Sequence, residues 1–347
     1  MMAPMDSELT AFLAPRAGII IAIAAAVSAL AIIALRPLLE RYALARPNAR
    51  SSHKTPTPQG GGIAVVAATI AVSAAVLFLW AKDGTGAIPL ATLLAAVILI
   101  AVVGILADIR PIDVAPRLLL QTLAVAAVIF TLPADLRVLS VLPWWVERIA
   151  LVIGGLWFVN LVNFMDGLDW MTVAEVVPVT AALALIGMLG ILPAQASVVS
   201  LALCGAMIGF AFFNRPVARL FLGDVGSLPI GLVVGWLLVL AAGHGGRAAA
   251  ILLPLYYVAD STITLARRLI NGETIWQAHR SHFYQRATDR SFTVMEVVAR
   301  VFFVNLVLAA LALATVLEPS RELDITALGA GAVLVAWLLY GFARGRR

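Results

Sequence analysis

The sequence has few charged residues and only one cysteine. Of its 347 residues, 12% are charged and 62% are hydrophobic, whereas an average soluble domain has roughly 25% charged residues. Because a water-soluble chain cannot bury that much apolar surface, the composition excludes a soluble enzyme, a disordered chain and a collagen. The lone Cys204 excludes an intramolecular disulfide and a thiolate metal cluster. The mean hydropathy of +1.01 predicts an integral membrane protein.

Long apolar runs separated by short polar segments predict an all-α polytopic membrane protein, because a membrane-spanning β-barrel would alternate apolar and polar residues. We predict about 11 transmembrane helices, near residues 17–35, 63–81, 88–107, 118–133, 148–163, 171–191, 196–213, 227–242, 248–266, 296–316 and 325–343. The first run has its basic cluster after it rather than before it, which favours a retained helix over a signal peptide. Since no internal repeat or soluble domain is visible, residues 1–347 are predicted to form a single integral-membrane domain.

The 24 Lys and Arg residues are distributed unevenly between the two sides of these spans. The connections after spans 1, 3, 7 and 9 and the C-terminal tail hold 17 of them, the opposite side holds 6, and Arg300 lies within a span. Because basic residues favour the cytoplasmic side, we expect the N-terminus outside and the C-terminus in the cytoplasm. This bias and anionic lipid headgroups account for the net charge of +5 without a nucleic-acid partner.

Ionisable residues concentrate at the predicted cytoplasmic ends of the spans. Asp108, Asp166 and Asp224 come from separate connections, and His279 and His282 lie in another connection on the same side. Ionisable groups at membrane depth are costly and usually functional. The sequence therefore predicts a polar site at this end of the bundle.

Polar residues recur at every third position in the segment NLVNFMDGLD. They are Asn160, Asn163, Asp166 and Asp169, and each neighbouring pair lies on one helical face. Carboxylate and amide oxygens suit Mg²⁺, with Mn²⁺ as an alternative, rather than zinc. A solvated helix end is the competing interpretation.

Two glycine-containing segments each lead into a predicted span. Asp224 lies between Gly223 and Gly226, and Lys54 precedes three glycines at 60–62. Glycine lets backbone approach a ligand closely, and a helix start offers free N–H groups to phosphate. An N-terminal helix cap for Asp224 and an ordinary loop for Lys54 are the competing interpretations.

The segment AHRSHFYQR holds a dense set of hydrogen-bond donors. His279, Arg280, His282 and Arg286 lie within nine residues. Because Arg grips phosphate bidentately and no cysteine or third histidine is nearby, the pattern favours anion recognition over metal binding. A juxtamembrane basic patch on lipid headgroups is the alternative.

Four of these segments, in this order, resemble the polyprenyl-phosphate N-acetylhexosamine-1-phosphate transferases, a family that includes the phospho-MurNAc-pentapeptide translocase. They are HKTPTPQGGG at 53–62, NLVNFMDGLDW at 160–170, RLFLGDVGS at 219–227 and AHRSHFYQR at 278–286, with a partial fifth match, GILADIRPIDVAPRLLLQ, at 104–121. The resemblance is clearest over residues 50–290. The family usually carries an Asp-Asp pair after the third span, where this chain has Ala107 and Asp108.

The last segment distinguishes between branches of that family. It lacks the triple-histidine segment in which the translocases resemble one another, and it is similar to the O-antigen and exopolysaccharide initiators. Asp260, Arg267 and Arg268, just ahead of it, are similar to the same branch.

The resemblance implies an enzyme of the bacterial inner membrane with its active site facing the cytoplasm. It would transfer a HexNAc-1-phosphate from a UDP-amino sugar to undecaprenyl phosphate, releasing UMP and initiating a cell-surface polysaccharide such as lipopolysaccharide. The cofactor would be Mg²⁺, the other partners are membrane lipids, and a homodimer is compatible with the sequence. Neither the particular sugar nor the polymer follows from the residues.

The resemblance also implies roles for individual residues. Asp224 would be the main metal ligand with Asp166 assisting, and Asp108 would orient the metal or the lipid phosphate. The predicted substrate-binding residues are Lys54 for a phosphate, Asn163 and Asp169 for the nucleotide side, and His279, Arg280, His282 and Arg286 for the sugar and diphosphate, together with Asn160.

Two other functions compete with this one. A catalytically degenerate member would bind the lipid phosphate without turning it over, which the alanine at position 107 supports. A transporter would place polar residues near the bilayer midplane, often in repeated halves, and the sequence shows neither feature.

Overall fold

The protein is described here from a computed structural model that covers residues 4–45, 56–80, 87–110, 112–274 and 279–345. The helices are α1 (Pro4–Leu13), α2 (Ala17–Tyr42), α3 (Gly62–Trp80), α4 (Ala87–Ile109), α5 (Val114–Phe130), α6 (Trp144–Met165), α7 (Met171–Met188), α8 (Ala194–Ala211), α9 (Asp224–Gly243), α10 (Arg247–Leu252), α11 (Leu255–Ile270), α12 (Phe283–Asp289), α13 (Val294–Leu317) and α14 (Arg321–Arg344). A 3₁₀ turn at Ala14–Arg16 joins the first two helices. Strands β1 (Leu44–Ala45) and β2 (Thr57–Pro58) pair antiparallel after α2.

The prediction of an all-α polytopic membrane protein is confirmed. Each predicted span coincides with helical structure, because apolar runs of this length satisfy their backbone hydrogen bonds within one segment. Within the described residues, nine helices are long and apolar enough to cross a membrane. The count of 11 also includes α5 and the α10–α11 pair, and it stays a prediction together with the orientation.

The ninth predicted span, 248–266, is not one continuous helix. It divides into α10 and α11 at Leu253 and Pro254, where proline has no amide hydrogen to continue the helical ladder. The second piece extends to Ile270 and carries a buried Asp260. Two short helices, α1 and α12, were also absent from the sequence prediction.

The most buried helices form the centre of the bundle. Within the membrane-length segments, 89% of α9, 83% of α8 and 72% of α7 are buried inside the protein. Helix α8 packs against α2, α3 and α7, whereas α9 packs against α3, α4 and α6. In this arrangement, helices α3, α7 and α9 begin at the end of the bundle where α4 and α6 finish. We call this end of the bundle the site end.

A charged cluster at the opposite end holds the α5–α6 connection. The fully buried Arg148 donates to the carbonyl oxygens of Pro133 (2.6 Å) and Leu136 (3.2 Å). Glu147, also fully buried, pairs with Arg137 and accepts the amide of Leu139 at 2.8 Å. Arg148 and Glu147 thus bond to main-chain groups of the connection between α5 and α6 and hold its turn.

Candidate active site

Two of the glycine-containing segments pair with each other at the site end. Gly60 and Gly61 donate their amides to the carbonyl oxygen of Phe221 at 3.1 and 2.9 Å, and Gly62 donates to Leu222 at 2.9 Å. Phe221 in turn donates to Pro58 at 2.8 Å. These main-chain bonds place the start of α3 directly beside the start of α9.

Asp108 caps the N-terminus of α9. Its carboxylate accepts the amides of Asp224 at 3.0 Å and Val225 at 3.2 Å, and Gln59 donates to the same side chain at 3.2 Å. A carboxylate at a helix N-terminus satisfies free N–H groups and interacts favourably with the helix dipole. Asp108 therefore joins three of the matched segments and caps α9, a role for which Asp224 is the candidate from the sequence.

Gly223 is required by this contact for two reasons. Its φ is +78°, and a Cβ added there would lie 2.5 Å from Oδ2 of Asp108. Side chains rarely adopt that backbone conformation, and the close approach leaves no room for one. The glycine before Asp224 thus lets the carboxylate of Asp108 reach the first turn of α9.

Asp224 is held from both sides at the start of α9. Asn163 donates to Oδ1 of Asp224 at 2.7 Å and to the hydroxyl of Ser227 at 2.9 Å. Arg117, in the first turns of α5, forms an ion pair with Oδ2 at 3.3 Å. The Asp224 side chain keeps 28% of its surface exposed, so it is fixed in direction and still accessible to a ligand.

Asp166 and Asp169 lie in the turn between α6 and α7. Thr172 donates its hydroxyl to Asp166, and Asp169 accepts the amide of Ala218 at 2.9 Å. Burial raises the pKa of Asp166 to about 8, the neighbouring carboxylates, including Asp224, raise it as well, and the hydrogen bond from Thr172 opposes them. A cation bound beside Asp166 would oppose both effects and favour the ionised form of its carboxyl group.

Asn160 lies deeper in the protein than the other members of its segment. It is buried and donates to Oε1 of Gln121 at 2.8 Å and to the carbonyl oxygen of Leu156 at 2.9 Å. These contacts link α6 to α5. Its proposed contact with substrate stays a prediction.

The segment 279–286 reaches the same end of the molecule. Arg280 donates to Thr288 at 3.0 Å and pairs with Asp289 at 3.3 Å. His282 is buried, and its ring stacks on that of His279 with centroids 4.9 Å apart. Arg286 is half-buried one helical turn later. The four predicted anion-binding residues thus share one short segment, in which His282 is the least accessible.

Lys54 lies outside the described residues. Within the described ranges, no three His, Cys, Asp or Glu side chains converge as a ready-made metal site. Asp224 and Asp166 nevertheless supply carboxylate oxygens that are close enough to interact with each other, and this donor chemistry fits Mg²⁺.

Three residues that position this site had no assigned role in the sequence analysis. Arg117 lies within the partial match at 104–121, and this match is the one sequence feature that could have indicated its role. Asn214 accepts the amide of Trp170 at 2.7 Å and donates to the carbonyl oxygen of Leu220 at 2.9 Å. The sequence around Asn214 contains no pattern that predicts these contacts. Tyr284 lies inside a matched segment and donates to the carbonyl oxygen of Phe164 at 3.0 Å.

An apolar cavity of about 210 Å³ adjoins the carboxylate of Asp108. Its walls come from the end of α2, the start of α3 and the end of α4, and include Leu38, Ile63 and Ile105. Gln59 and Asp108 contribute polar side chains beside the start of α9, and Tyr42 lines the cavity at the end of α2. The cavity therefore has an apolar body and a polar end at the site.

Comparison with known proteins gives consistent matches. Residues 90–242 match the glycosyl transferase family 4. A probable undecaprenyl-phosphate N-acetylglucosaminyl 1-phosphate transferase of Bacillus subtilis is 28% identical over 285 residues, covering 77% of this chain and 76% of the relative. A decaprenyl-phosphate N-acetylglucosaminephosphotransferase of Mycolicibacterium smegmatis is 28% identical over 292 residues, covering 73% and 70%.

A third relative belongs to the pentapeptide-transferase branch. The phospho-N-acetylmuramoyl-pentapeptide-transferase of Francisella tularensis subsp. novicida is 27% identical over 179 residues, covering 45% of this chain and 47% of the relative. The matched family region contains Asp108, Arg117, Asn163, Asp166 and Asp224, the residues whose contacts build the site end. The motifs, their spatial convergence and these matches all support a relationship of this chain to glycosyl transferase family 4.

Proposed function

We propose that this protein transfers a HexNAc-1-phosphate from a UDP-amino sugar to undecaprenyl phosphate and so starts the assembly of a cell-surface polysaccharide in the bacterial inner membrane. An oxygen of the lipid phosphate bonds to the phosphorus that carries the sugar. The bond from that phosphorus to the bridging oxygen breaks, and UMP leaves with that oxygen. The names of two relatives that align along most of the chain support this reaction class.

The observation that carries the proposal is the placement of Asp224. It lies at the start of α9, between the amide of Asn163 and the guanidinium of Arg117, with Asp108 directly behind it. Phosphoryl transfer depends mostly on positioning and on neutralising the charge of the transferred group. A fixed carboxylate with an adjacent guanidinium provides both a cation ligand and a phosphate partner.

Asp224 and Asp166 would hold a Mg²⁺ ion. A bound Mg²⁺ neutralises diphosphate charge and stabilises the leaving phosphate. The hydrogen bond from Asn163 fixes the orientation of the Asp224 carboxylate. Arg117, which pairs with that carboxylate at 3.3 Å, could instead contact a substrate phosphate. Asp108 acts by holding the start of α9, since its oxygens accept main-chain amides.

The lipid acceptor needs little activation. A phosphate monoester has a second pKa of about 6 and is largely ionised near neutral pH. Direct attack in a single displacement therefore requires no strong general base. The apolar cavity beside Asp108 offers a place for the first part of a prenyl chain, with its phosphate at the polar end.

The donor would bind between the α6–α7 turn and the 279–286 segment. His279, Arg280 and Arg286 supply donors for the diphosphate and the sugar, and Asp169 and Asn163 order the nucleotide side. Tyr284 ties the two elements together through its bond to Phe164. The donor is water-soluble and the acceptor is not, so the two substrates approach this end from different phases.

The test is UMP release by purified protein in detergent with undecaprenyl phosphate, Mg²⁺ and a panel of UDP-HexNAc sugars. We expect release that requires the lipid, the metal ion and one particular sugar. Chelation with EDTA should stop release, and added Mg²⁺ should restore it. UMP release that persists without lipid, or its absence with every sugar, contradicts the proposed transfer.

A catalytically degenerate member of the family is the second candidate, and Ala107 is the observation that favours it. Such a protein would bind undecaprenyl phosphate and release no UMP. The release assay separates this candidate from an active transferase, and a flux measurement in vesicles addresses a transporter.

A further inference from the structure

Asp260 on α11 is a fully buried carboxylate surrounded by hydrogen-bond donors. It accepts the main-chain amides of Phe283 at 3.0 Å and Tyr284 at 3.1 Å, which open helix α12. The hydroxyls of Tyr256, at 3.2 Å, and Thr264, at 3.3 Å, approach it from its own helix. A buried charge is tolerated when it is hydrogen-bonded in this way. Asp260 therefore fixes the start of α12 to α11.

The same carboxylate orients His282. Nδ1 of His282 lies 3.3 Å from Oδ1 of Asp260, and both side chains are buried. Because an ionised carboxylate only accepts hydrogen bonds, it directs the Nδ1 hydrogen towards itself and leaves Nε2 as the ring nitrogen for other partners. The His282 ring also stacks between His279, at 4.9 Å, and Tyr284, at 5.7 Å. The position of one ring therefore sets the positions of its two neighbours.

The far end of this stack reaches the α6–α7 turn. The hydroxyl of Tyr284 donates to the carbonyl oxygen of Phe164 at 3.0 Å. It also lies where a side chain at Gly167 would be, since a Cβ added there would be 2.1 Å from the hydroxyl oxygen. Gly167 separates Asp166 from Asp169. A continuous set of contacts thus runs from Asp260 to the turn that carries two carboxylates of the site.

We propose that Asp260 is a positioning residue for donor binding, which rests on the proposed function. It holds His282 and the start of α12 so that Tyr284 and Gln285 meet the α6–α7 turn at Gly167, which keeps the 279–286 segment at a fixed distance from that turn. The UDP-sugar binds between these two elements and is the ligand that depends on their spacing. The lipid acceptor would bind in the apolar cavity beside Asp108. Its binding therefore depends much less on the spacing of these two elements.

The test is Asp260→Asn, compared with the unchanged protein in the UMP-release assay. An amide places two hydrogens among five donors, so part of the network loses its acceptor. We expect the KM for the UDP-sugar to rise about tenfold. The KM for undecaprenyl phosphate should stay within about twofold, because the acceptor does not contact the affected elements. Titration of the protein with UDP should show the same weakening without turnover.

Thr69→Val is the matched control, because it removes one buried hydroxyl that donates within its own helix α3, to the carbonyl oxygen of Val65, and lies outside the Asp260 network. It should change the KM for the UDP-sugar by less than about threefold. If Asp260→Asn does not yield folded protein, Tyr256→Phe replaces it, with an expected rise of about threefold.

Three outcomes overturn the proposal. They are an unchanged KM for the UDP-sugar, equal rises in both KM values, and a fall in kcat alone with a lower fraction of folded protein. The last pattern would show a purely structural role. Failure of the proposed function is distinct, because the unchanged protein would then release no UMP with any donor.

Discussion

At the scale of single residues, the carboxylates of the site differ in their hydrogen-bond partners. The oxygens of Asp108 accept amides from the first turn of α9, and Asp169 accepts the amide of Ala218. Asp224 instead makes side-chain contacts that a ligand can replace, with Asn163 and Arg117. The same residue type therefore serves two purposes, and hydrogen-bond partners distinguish them.

Asp224→Asn should lower UMP release by about 100-fold or more, because the variant loses the charge that a cation and Arg117 require. The amide preserves size, so the folded fraction should not change. Glu322→Gln is the matched control, since this residue is exposed at the opposite end of the molecule, and it should retain full activity. Near-normal turnover by Asp224→Asn would show that another residue binds the metal ion.

Ala107→Asp tests whether the missing carboxylate limits the enzyme. Asp108 already caps α9, and the lipid phosphate is largely ionised near neutral pH. We therefore expect kcat to rise by less than about threefold. Single-turnover UMP release from both proteins measures this directly. A gain of about 100-fold would instead favour the degenerate member of the family.

At the scale of elements, the site depends on how α12 meets the α6–α7 turn. Gly167 and Tyr284 are in direct contact, since a Cβ at Gly167 would fall 2.1 Å from the hydroxyl oxygen and 3.1 Å from the ring carbon that carries it. Gln285 lies beside them, 2.9 Å from that Cβ, and its longer side chain can move. The hydroxyl of Tyr284 is thus the group that most restricts position 167.

Gly167→Ala should therefore push α12 away from the turn and lower kcat/KM for the UDP-sugar by about tenfold. Tyr284→Phe removes the obstructing hydroxyl, so the double variant should recover at least half of that loss on a logarithmic scale. The four proteins form a double-mutant cycle, measured by initial rates. Strictly additive effects would show that the two elements are not coupled through this contact.

At the scale of the whole molecule, hydropathy was sufficient to predict the helices of membrane length and insufficient to predict which helices pack together. The apolar runs fixed most helix positions within a few residues. The break at Pro254 was missed because α10 and α11 together look like one apolar run. The Arg117–Asp224 contact joins two helices, and the Asp260–His282 contact joins a helix to the residue that precedes α12. Local sequence patterns contain no information about such contacts.

The segments of the candidate site were recognisable because each one combines polar residues with glycine next to an apolar run. Their meeting at one end followed from counting spans. The sequence did not predict which carboxylate caps α9. Asp108 reaches the amides of α9 through tertiary packing and through the space left by Gly223.

The orientation of the molecule is the remaining whole-molecule prediction. With 17 basic residues in the connections at the site end and the C-terminal tail, and six on the other side, we expect the site end in the cytoplasm. Single cysteines at two exposed positions, Val141→Cys in the α5–α6 connection and Asn271→Cys after α11, report the two sides. They are made in a Cys204→Ser background, although the native cysteine is buried. A membrane-impermeant maleimide should label position 141 in intact spheroplasts and position 271 only after permeabilisation. The reverse pattern would place the site outside the cell, away from the nucleotide sugars of the cytosol, and would contradict the proposed reaction as well as the topology.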